Sequence, residues 1–320
     1  MQSGGNRRLS ALSRARFQPL SVLVSMLVLY ETMADSVPRI FDRKALARAR
    51  ARALKTKGDN FLAREAAEGL AHRLSAVNRK FEHAAQIDGA DLAATPIEHY
   101  AGAWTHARLS DDERLDLAAC AYDLAVSVLA LHAVNDLPGV LVQVRRALRP
   151  DGLFMAAMFG GSTLHELRDA LAFAEAETRG GASPRVAPLA DVRDVGGLLQ
   201  RAGFALPVAD VERTVARYAS FAPLIEDLRA LGETNVLAER SRRPLPRAVL
   251  EAAVRRYAEK HADSDGKLRA TFDIIYLTGW TPHESQQKPL APGSAHVRLA
   301  DALGTKEKPA GEPAAPRRQN

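Results

Sequence analysis

The stretch Tyr122-Asp123-Leu124-Ala125-Val126-Ser127-Val128-Leu129-Ala130-Leu131 constrains this chain more than any other. Its apolar residues run on without a polar face. A strand built from them needs cover on both sides, as in a parallel sheet flanked by helices. The next residues meet that demand. Asn135-Asp136-Leu137-Pro138 supplies an Asx cap and a proline in the first turn of a helix expected to run to Leu148. Arg149-Pro150-Asp151-Gly152 then turns the chain into a second apolar strand, Leu153 to Phe159. This is a βαβ unit, and its crossover is expected to be right-handed.

The second strand leads into Gly160-Gly161-Ser162-Thr163-Leu164-His165-Glu166-Leu167-Arg168. Two glycines and two hydroxyls opening a helix have the layout of a phosphate cradle. No Lys-Ser/Thr pair and no third spaced glycine complete one. In an open α/β sheet such a turn lies at the carboxyl end of a strand, where ligands bind. Two readings stand: Gly160 and Gly161 admit a ligand to the backbone while Ser162 or Thr163 caps the helix, or the segment is only a strand-to-helix turn.

Further helices are expected at Leu164–Ala176, Leu189–Ala202, Phe221–Leu231 and Pro246–His261, with strands at Val208–Tyr218 and Thr271–Trp280. Two helices lead the fold. The first is basic, from Arg39 through Lys57, and the second begins near Phe61 after the break Lys57-Gly58-Asp59-Asn60. On the first, Lys44, Arg48, Arg52 and Lys55 share one side, opposite a thin stripe of Leu46, Ala49, Ala53 and Leu54. That side is either a solvated face or a docking surface for an anionic partner, including peripheral contact with a membrane. Ala84–Gly89 reads as a weak strand, and the chain from there to Glu113 is polar.

With 47% of its 320 residues apolar, the chain can fill one large domain, expected over residues 40–304. Residues 1–39 form a non-core extension. Its apolar run Leu20–Tyr30 falls short of the ~20 residues a membrane helix needs, and it is either a targeting segment or an overcalled start ahead of Met33. Residues 305–320 are expected to be a disordered tail. The single cysteine, Cys120, excludes an internal disulfide and a cysteine-rich metal site. It reads as a small core residue in a reducing compartment, and the expected location is cytoplasmic. A net charge of +6 is moderate, and no nucleic-acid partner is expected.

Tyr122-Asp123-Leu124, Leu131-His132-Ala133-Val134-Asn135-Asp136-Leu137-Pro138 and Leu148-Arg149-Pro150-Asp151-Gly152 resemble the fourth strand, following helix and fifth strand of class I S-adenosylmethionine-dependent methyltransferases. The likeness narrows at Gly160–Arg168, Gly180-Gly181-Ala182-Ser183-Pro184, Leu199-Gln200-Arg201-Ala202-Gly203-Phe204 and Gly279-Trp280-Thr281-Pro282-His283-Glu284-Ser285-Gln286. These resemble the branch of mitochondrial complex I assembly factors, methyltransferase-like proteins associated with arginine hydroxylation on an iron–sulfur subunit. The carrier O-methyltransferases of biotin synthesis are more distant. The resemblance implies a Rossmann-like, mostly parallel α/β sheet, S-adenosyl-L-methionine as cofactor, and a protein partner such as an iron–sulfur subunit of a respiratory complex. Three activities follow from it: modification of a protein in complex I assembly, non-catalytic assistance there, and carrier-ester methylation.

The cofactor half departs from that family. Gln86-Ile87-Asp88-Gly89-Ala90-Asp91 keeps one glycine where the family spaces several. About fifty residues between Phe81 and Val134 must supply three strands, when one βαβ unit alone takes about 30 or more. A strand–helix segment is therefore expected to be missing or shrunken. The resemblance puts Asp88, Gly89, Asp111, Asp112, Ser127 and Leu129 on the cofactor side. Asp111 would accept from the adenine amino group, a donor that costs ~1–3 kcal/mol if buried unpaired; alternatively Ser110 and Glu113 form a capping box.

On the substrate side the candidates are His132, Asn135, Gly160, Gly161, His165 and Glu166. His132 is either a histidine satisfied at a strand end or a catalyst. His165 and Glu166 act as base or substrate clamp, or lie on a solvated helix face. No nucleophile triad assembles, so no catalytic residue is assigned. His283-Glu284 lacks a second histidine and implies no metal.

Overall fold

The computed structural model describes residues 39–56, 60–89, 96–287, 294 and 297–306. The expectations for Leu20–Tyr30, Met33 and the tail beyond residue 306 lie outside the described residues, as does the loop 90–95 after Asp88-Gly89. The chain divides into two compact units, Met1–Thr281 and Pro282–Asn320.

The first unit begins with α1 (Arg43–Ala53) and α2 (Phe61–Ser75), then β1 (Phe81–Gly89) and β2 (Ala101–Ala107). The βαβ unit follows as β3 (Tyr122–Val128), α3 (Leu137–Ala147) and β4 (Leu148–Gly160). After it come α4 (His165–Arg179), α5 (Val192–Arg201), β5 (Ala205–Tyr218), α6 (Phe221–Leu231), α7 (Arg247–His261) and β6 (Leu268–Trp280). The second unit holds the short α8 (Leu299–Ala302).

One six-stranded sheet has the order β2-β1-β3-β4-β6-β5. The pairs β1–β2, β1–β3 and β3–β4 are parallel, and β6 runs antiparallel to both β4 and β5. This is the mostly parallel, Rossmann-like sheet that the resemblance implies. The Tyr122 strand, fourth by resemblance, is third among the described strands, so one strand fewer precedes it. The polar stretch before Glu113 does contain a strand, β2, whose mixed burial at the sheet edge hides it from a hydrophobicity reading.

All seven residues of β3 are buried. Along β4, Leu153, Met155, Ala157 and Phe159 face one core with α2, α4 and α7, while Phe154, Ala156 and Met158 face the other with α3 and α5. Each fully buried Leu, Met or Phe contributes about 1.5–3 kcal/mol, so these two strands anchor both layers. The buried Asp123 is satisfied locally, its carboxylate accepting the N–H groups of Glu82 (2.7 Å) and His83 (3.1 Å) at the start of β1. Residues 149–152 do not form a separate turn. They are a bulge within β4, where the register slips between Tyr122 and Leu124 and Asp151 takes φ +61°.

The expected Asx cap of α3 is Asp136, with Oδ1 accepting from Gly139 N–H at 2.8 Å. Neither Ser162 nor Thr163 caps α4, whose N-cap is Leu164 in the left-handed region. Cys120 is exposed at φ +51° rather than in the core.

Gly69 is required by packing: a Cβ there would stand 2.1 Å from the hydroxyl of the fully buried Tyr276 and 2.5 Å from Cζ. Gly69→Ala should therefore lose about 1–3 kcal/mol to overpacking, although alanine favours the helix by about 1 kcal/mol. Thermal denaturation checks this, and an unchanged or higher Tm would contradict it.

Candidate functional site

The carboxyl end of β1 and the residues that follow β3 meet beneath α1. Asp42 starts this helix by accepting Ala45 N–H at 2.9 Å, and Ala45, Leu46 and Ala49 bury against Phe41, Ala133, Val236 and Leu237. Lys44, Arg48, Arg52 and Lys55 are exposed, as is Leu54, at 78%. Arg43 and Arg50 point the other way, into the sheet edge. Arg50 Nη1 donates to Asp88 Oδ2 at 2.8 Å and its Nη2 reaches Ala130 O at 3.5 Å. Arg43 sits 3.7 Å from the same carboxylate and donates to the carbonyls of Ala133 (3.4 Å) and Leu109 (3.3 Å).

These arginines decide how a cofactor fits. Asp88, at φ +43°, is taken by Arg50 and Arg43. Gly89, at φ +93°, leaves room for a neighbouring strand, since a Cβ there would lie 2.2 Å from Val128 O. Ser127 is buried and donates to Ile87 O at 2.8 Å, and Leu129, at φ +50°, donates its N–H to Ala157 O and buries its side chain in the core. Asp111 and Asp112 are exposed beside the start of α1, in a polar cleft with Arg39, Asp42 and Lys44. With α1 docked, the described residues do not fit S-adenosylmethionine: the acid and strand-end carbonyls already hold guanidinium donors.

The alternative reading of Ser110 also changes. No helix follows it, so there is no capping box; Ser110 Oγ accepts Arg114 N–H within a turn. Glu113, buried at φ +58°, reaches instead to the N–H of Asn135 and Asp136 (2.8 and 2.7 Å) and to Asn135 Nδ2. Asn135 in turn accepts Phe41 N–H at 2.8 Å, tying the segment before α1 to the end of β3. Sequence reasoning missed Arg43, Arg50 and Glu113. The first two, seven residues apart, share a helix face on the side away from the exposed cations, which is the signal that could have found them.

The Gly160-Gly161 turn has a packing reason. A Cβ on Gly160 would strike Ile275 Cδ1 at 2.1 Å, and Gly161, at φ +51°, donates to Ala190 O at 3.0 Å. Asp273 accepts Ser162 N–H (2.9 Å) and Arg213 Nε (2.6 Å). Burial opposes its ionisation, yet these donors hold its carboxyl below the usual range. Thr163 Oγ1 accepts Asp273 N–H and donates to Gly160 O. Glu166 is neither on a solvated face nor a clamp: it is fully buried and accepts the N–H and hydroxyl of Thr271, fastening α4 to β6. His165 is half exposed, with Nδ1 3.0 Å from Ser162 O.

His132 lies elsewhere, in a short 3-10 turn after β3, with its ring 5.1 Å from that of Phe159. It opens on a cavity of about 690 Å³ bounded by α4, α6 and α7. Glu233, which follows the left-handed Gly232 at the end of α6, faces it, with Oε1 3.1 Å from His132 Nε2. Burial works against the Glu233 carboxylate, but His132 and Arg50 keep its pKa below the ordinary value. Arg50 thus serves Asp88 on one side and Glu233 on the other. Among the described residues no group of three or more His, Cys, Asp or Glu could hold a metal ion. No described helix is long and apolar enough to cross a membrane.

Residues 67–156 match the family model of a methyltransferase domain. Over 193 residues the chain is 42% identical to "Arginine-hydroxylase NDUFAF5, mitochondrial" of Danio rerio, covering 60% of each protein. Against the protein of that name from Homo sapiens it is 44% identical, covering 60% of this chain and 56% of the other. The malonyl-[acyl-carrier protein] O-methyltransferase of Laribacter hongkongensis is 38% identical over 187 residues, 58% of this chain and 59% of that one. The chain therefore spans about three-fifths of the relatives it matches. The names of the first two overturn the cytoplasmic location expected from sequence, since they are mitochondrial proteins. A lone cysteine rules out an internal disulfide but does not choose between compartments.

Removing Arg50 leaves Asp88 with only the longer contact to Arg43, 3.7 Å away, in a site where the Arg50 and Asp88 side chains are only 20% and 15% exposed. Arg50→Ala should cost about 2 kcal/mol, below the range for fully buried pairs because water reaches this one. Added to Asp88→Asn it should cost less than the sum of the single changes; strict additivity in denaturant melts would show the pair is uncoupled.

Asp42 gives α1 a pH dependence. The Ala45 N–H and then Arg240, at 3.0 Å, lower its pKa, so its contribution is present above the unfolded value of about 3.9 and is lost as pH falls through the folded one. Asp42→Ala should destabilise the protein by about 1–2 kcal/mol at pH 7, with the gap to wild type narrowing below about pH 4. A gap constant from pH 7 to 2.5 would refute this.

Proposed function

We propose that this methyltransferase-fold chain serves the assembly of respiratory complex I by modifying or assisting a protein substrate, with an iron–sulfur subunit as its target. The observation that carries this is the 42–44% identity over 193 residues to proteins named as mitochondrial arginine hydroxylases. Carrier-ester methylation draws support only from lower identity, 38%. Between modifying and assisting, one structural observation favours assistance without S-adenosylmethionine: Asp88, the acid the cofactor would need, is already paired with Arg50 at 2.8 Å. The exposed Lys44, Arg48 and Arg52 support contact with an anionic membrane surface.

Deleting the gene in its own organism and re-expressing the chain tests this reading. Assembled complex I should fall severalfold and recover with the wild-type chain; normal complex I content without it would refute the proposal. Calorimetric titration with S-adenosylmethionine separates the two forms. No measurable binding up to about 100 μM is expected, whereas micromolar binding would show that α1 yields to the cofactor and that the modifying form holds.

A further inference from the structure

We infer that Glu233 makes the cavity bounded by α4, α6 and α7 a receptor for a monocation, guanidinium or ammonium, on an apolar stem, the form a basic protein side chain takes. The inference rests on the proposed protein partner only for the source of that side chain; the site itself follows from charge.

The buried charges at the strand edge do not balance. Arg50 donates to Asp88 at 2.8 Å, and Arg43 stands 3.7 Å from Asp88 and 3.8 Å from Glu113. Glu233 joins this group through the electrostatic reach of Arg50, and its close polar neighbour is His132 Nε2 at 3.1 Å. Two guanidiniums therefore face three carboxylates, since His132 supplies a cation only when protonated. A carboxylate withdrawn from water needs a partner, so a group one cation short can accept one from outside. Of these five charged residues, Glu233 is the one that lines the cavity, with its side chain 19% exposed.

The other charges in the lining are accounted for. Arg185 donates through Nε, at 3.0 Å, and through Nη2 to Glu175 Oε1. Glu226 and Arg229 are both exposed, three residues apart on α6, and cancel in sign. An anionic ligand would add to the excess at Glu233. The cavity's volume, about 690 Å³, suits a small molecule or one long side chain. Phe159, Leu167, Leu171, Ile225, Val254 and Phe272 offer contact to the stem.

The test is calorimetric titration of the full chain at pH 8 with hexylguanidinium or hexylurea, which match in shape and differ in charge. Hexylguanidinium should bind once per chain and at least about tenfold more tightly than hexylurea, the size of a hydrogen bond to a charged group. Glu233→Gln should bring the two within about twofold of each other while hexylurea keeps its wild-type affinity; Glu226→Gln should leave the preference intact. Ile225→Trp, at a half-buried wall position, fills the cavity and should weaken hexylguanidinium at least about tenfold. The inference is overturned by no saturable binding of hexylguanidinium up to about 10 mM, by equal binding of the two probes to the wild type, by a preference that survives Glu233→Gln or is lost in Glu226→Gln, or by binding indifferent to Ile225→Trp. The wild-type comparison and Ile225→Trp do not depend on the folding of Glu233→Gln. Failure here leaves the deletion experiment untouched, and normal complex I content in the deletion would refute the cellular role without altering this binding.

Discussion

Everything in this molecule hangs on burying β3 and β4 on both faces. Their side chains alternate between two cores, so each strand must carry helices above and below. That requirement places α2, α4 and α7 on one side and α3 and α5 on the other. It also leaves the carboxyl ends of the strands as the edge where loops converge and a crevice can form. The polar exceptions inside these strands are all answered locally: Asp123 by the backbone of β1, Ser127 by Ile87 O.

At that edge the chain pairs its own side chains. A guanidinium from α1 reaches the carboxylate that ends β1, and the apolar stripe of the same helix closes over Ala133 and Leu237. Among the described residues, one strand fewer than the resemblance implies stands ahead of the Tyr122 strand, and Asp88-Gly89-Ala90-Asp91 carries a single glycine. Arg50 also lies within the electrostatic reach of Glu233, so the docking of α1 and the charge state at the cavity floor are coupled through one side chain. A change that loosens α1 is felt at both places.

The neighbouring cavity is a different kind of space. Its walls are contributed by elements that diverge from the sheet edge, and its polar floor comes from a 3-10 turn and a helix C-terminus far apart in sequence, His132 and Glu233. Relatives named for arginine hydroxylation and for carrier-ester O-methylation match this chain at 42–44% and 38% identity, which fits the rule that chemistry resides in sites grafted onto a fold. In this chain the grafted features are the arginines of α1 and the histidine–glutamate pair.

From sequence alone, the run Tyr122–Leu131, the Asp-x-Pro helix start and the β-rich run Thr271–Trp280 determined the α/β class and most helix and strand positions. These are local signals, set by periodicity and by side chains that cap their own helices. The site was legible only in part. His132 was placed at a strand end, and Asp88 and Gly89 at the end of β1, but their partners were not, because Arg50 and Glu233 lie 38 residues from Asp88 and 101 from His132 in a chain whose pairings are made in space. Glu166 looked exposed or catalytic for the same reason: a carboxylate one position into a helix says nothing of the Thr271 that buries it. Tertiary structure alone decided which charges were neutralised, since the energy of a buried polar group depends on what surrounds it and not on what precedes it.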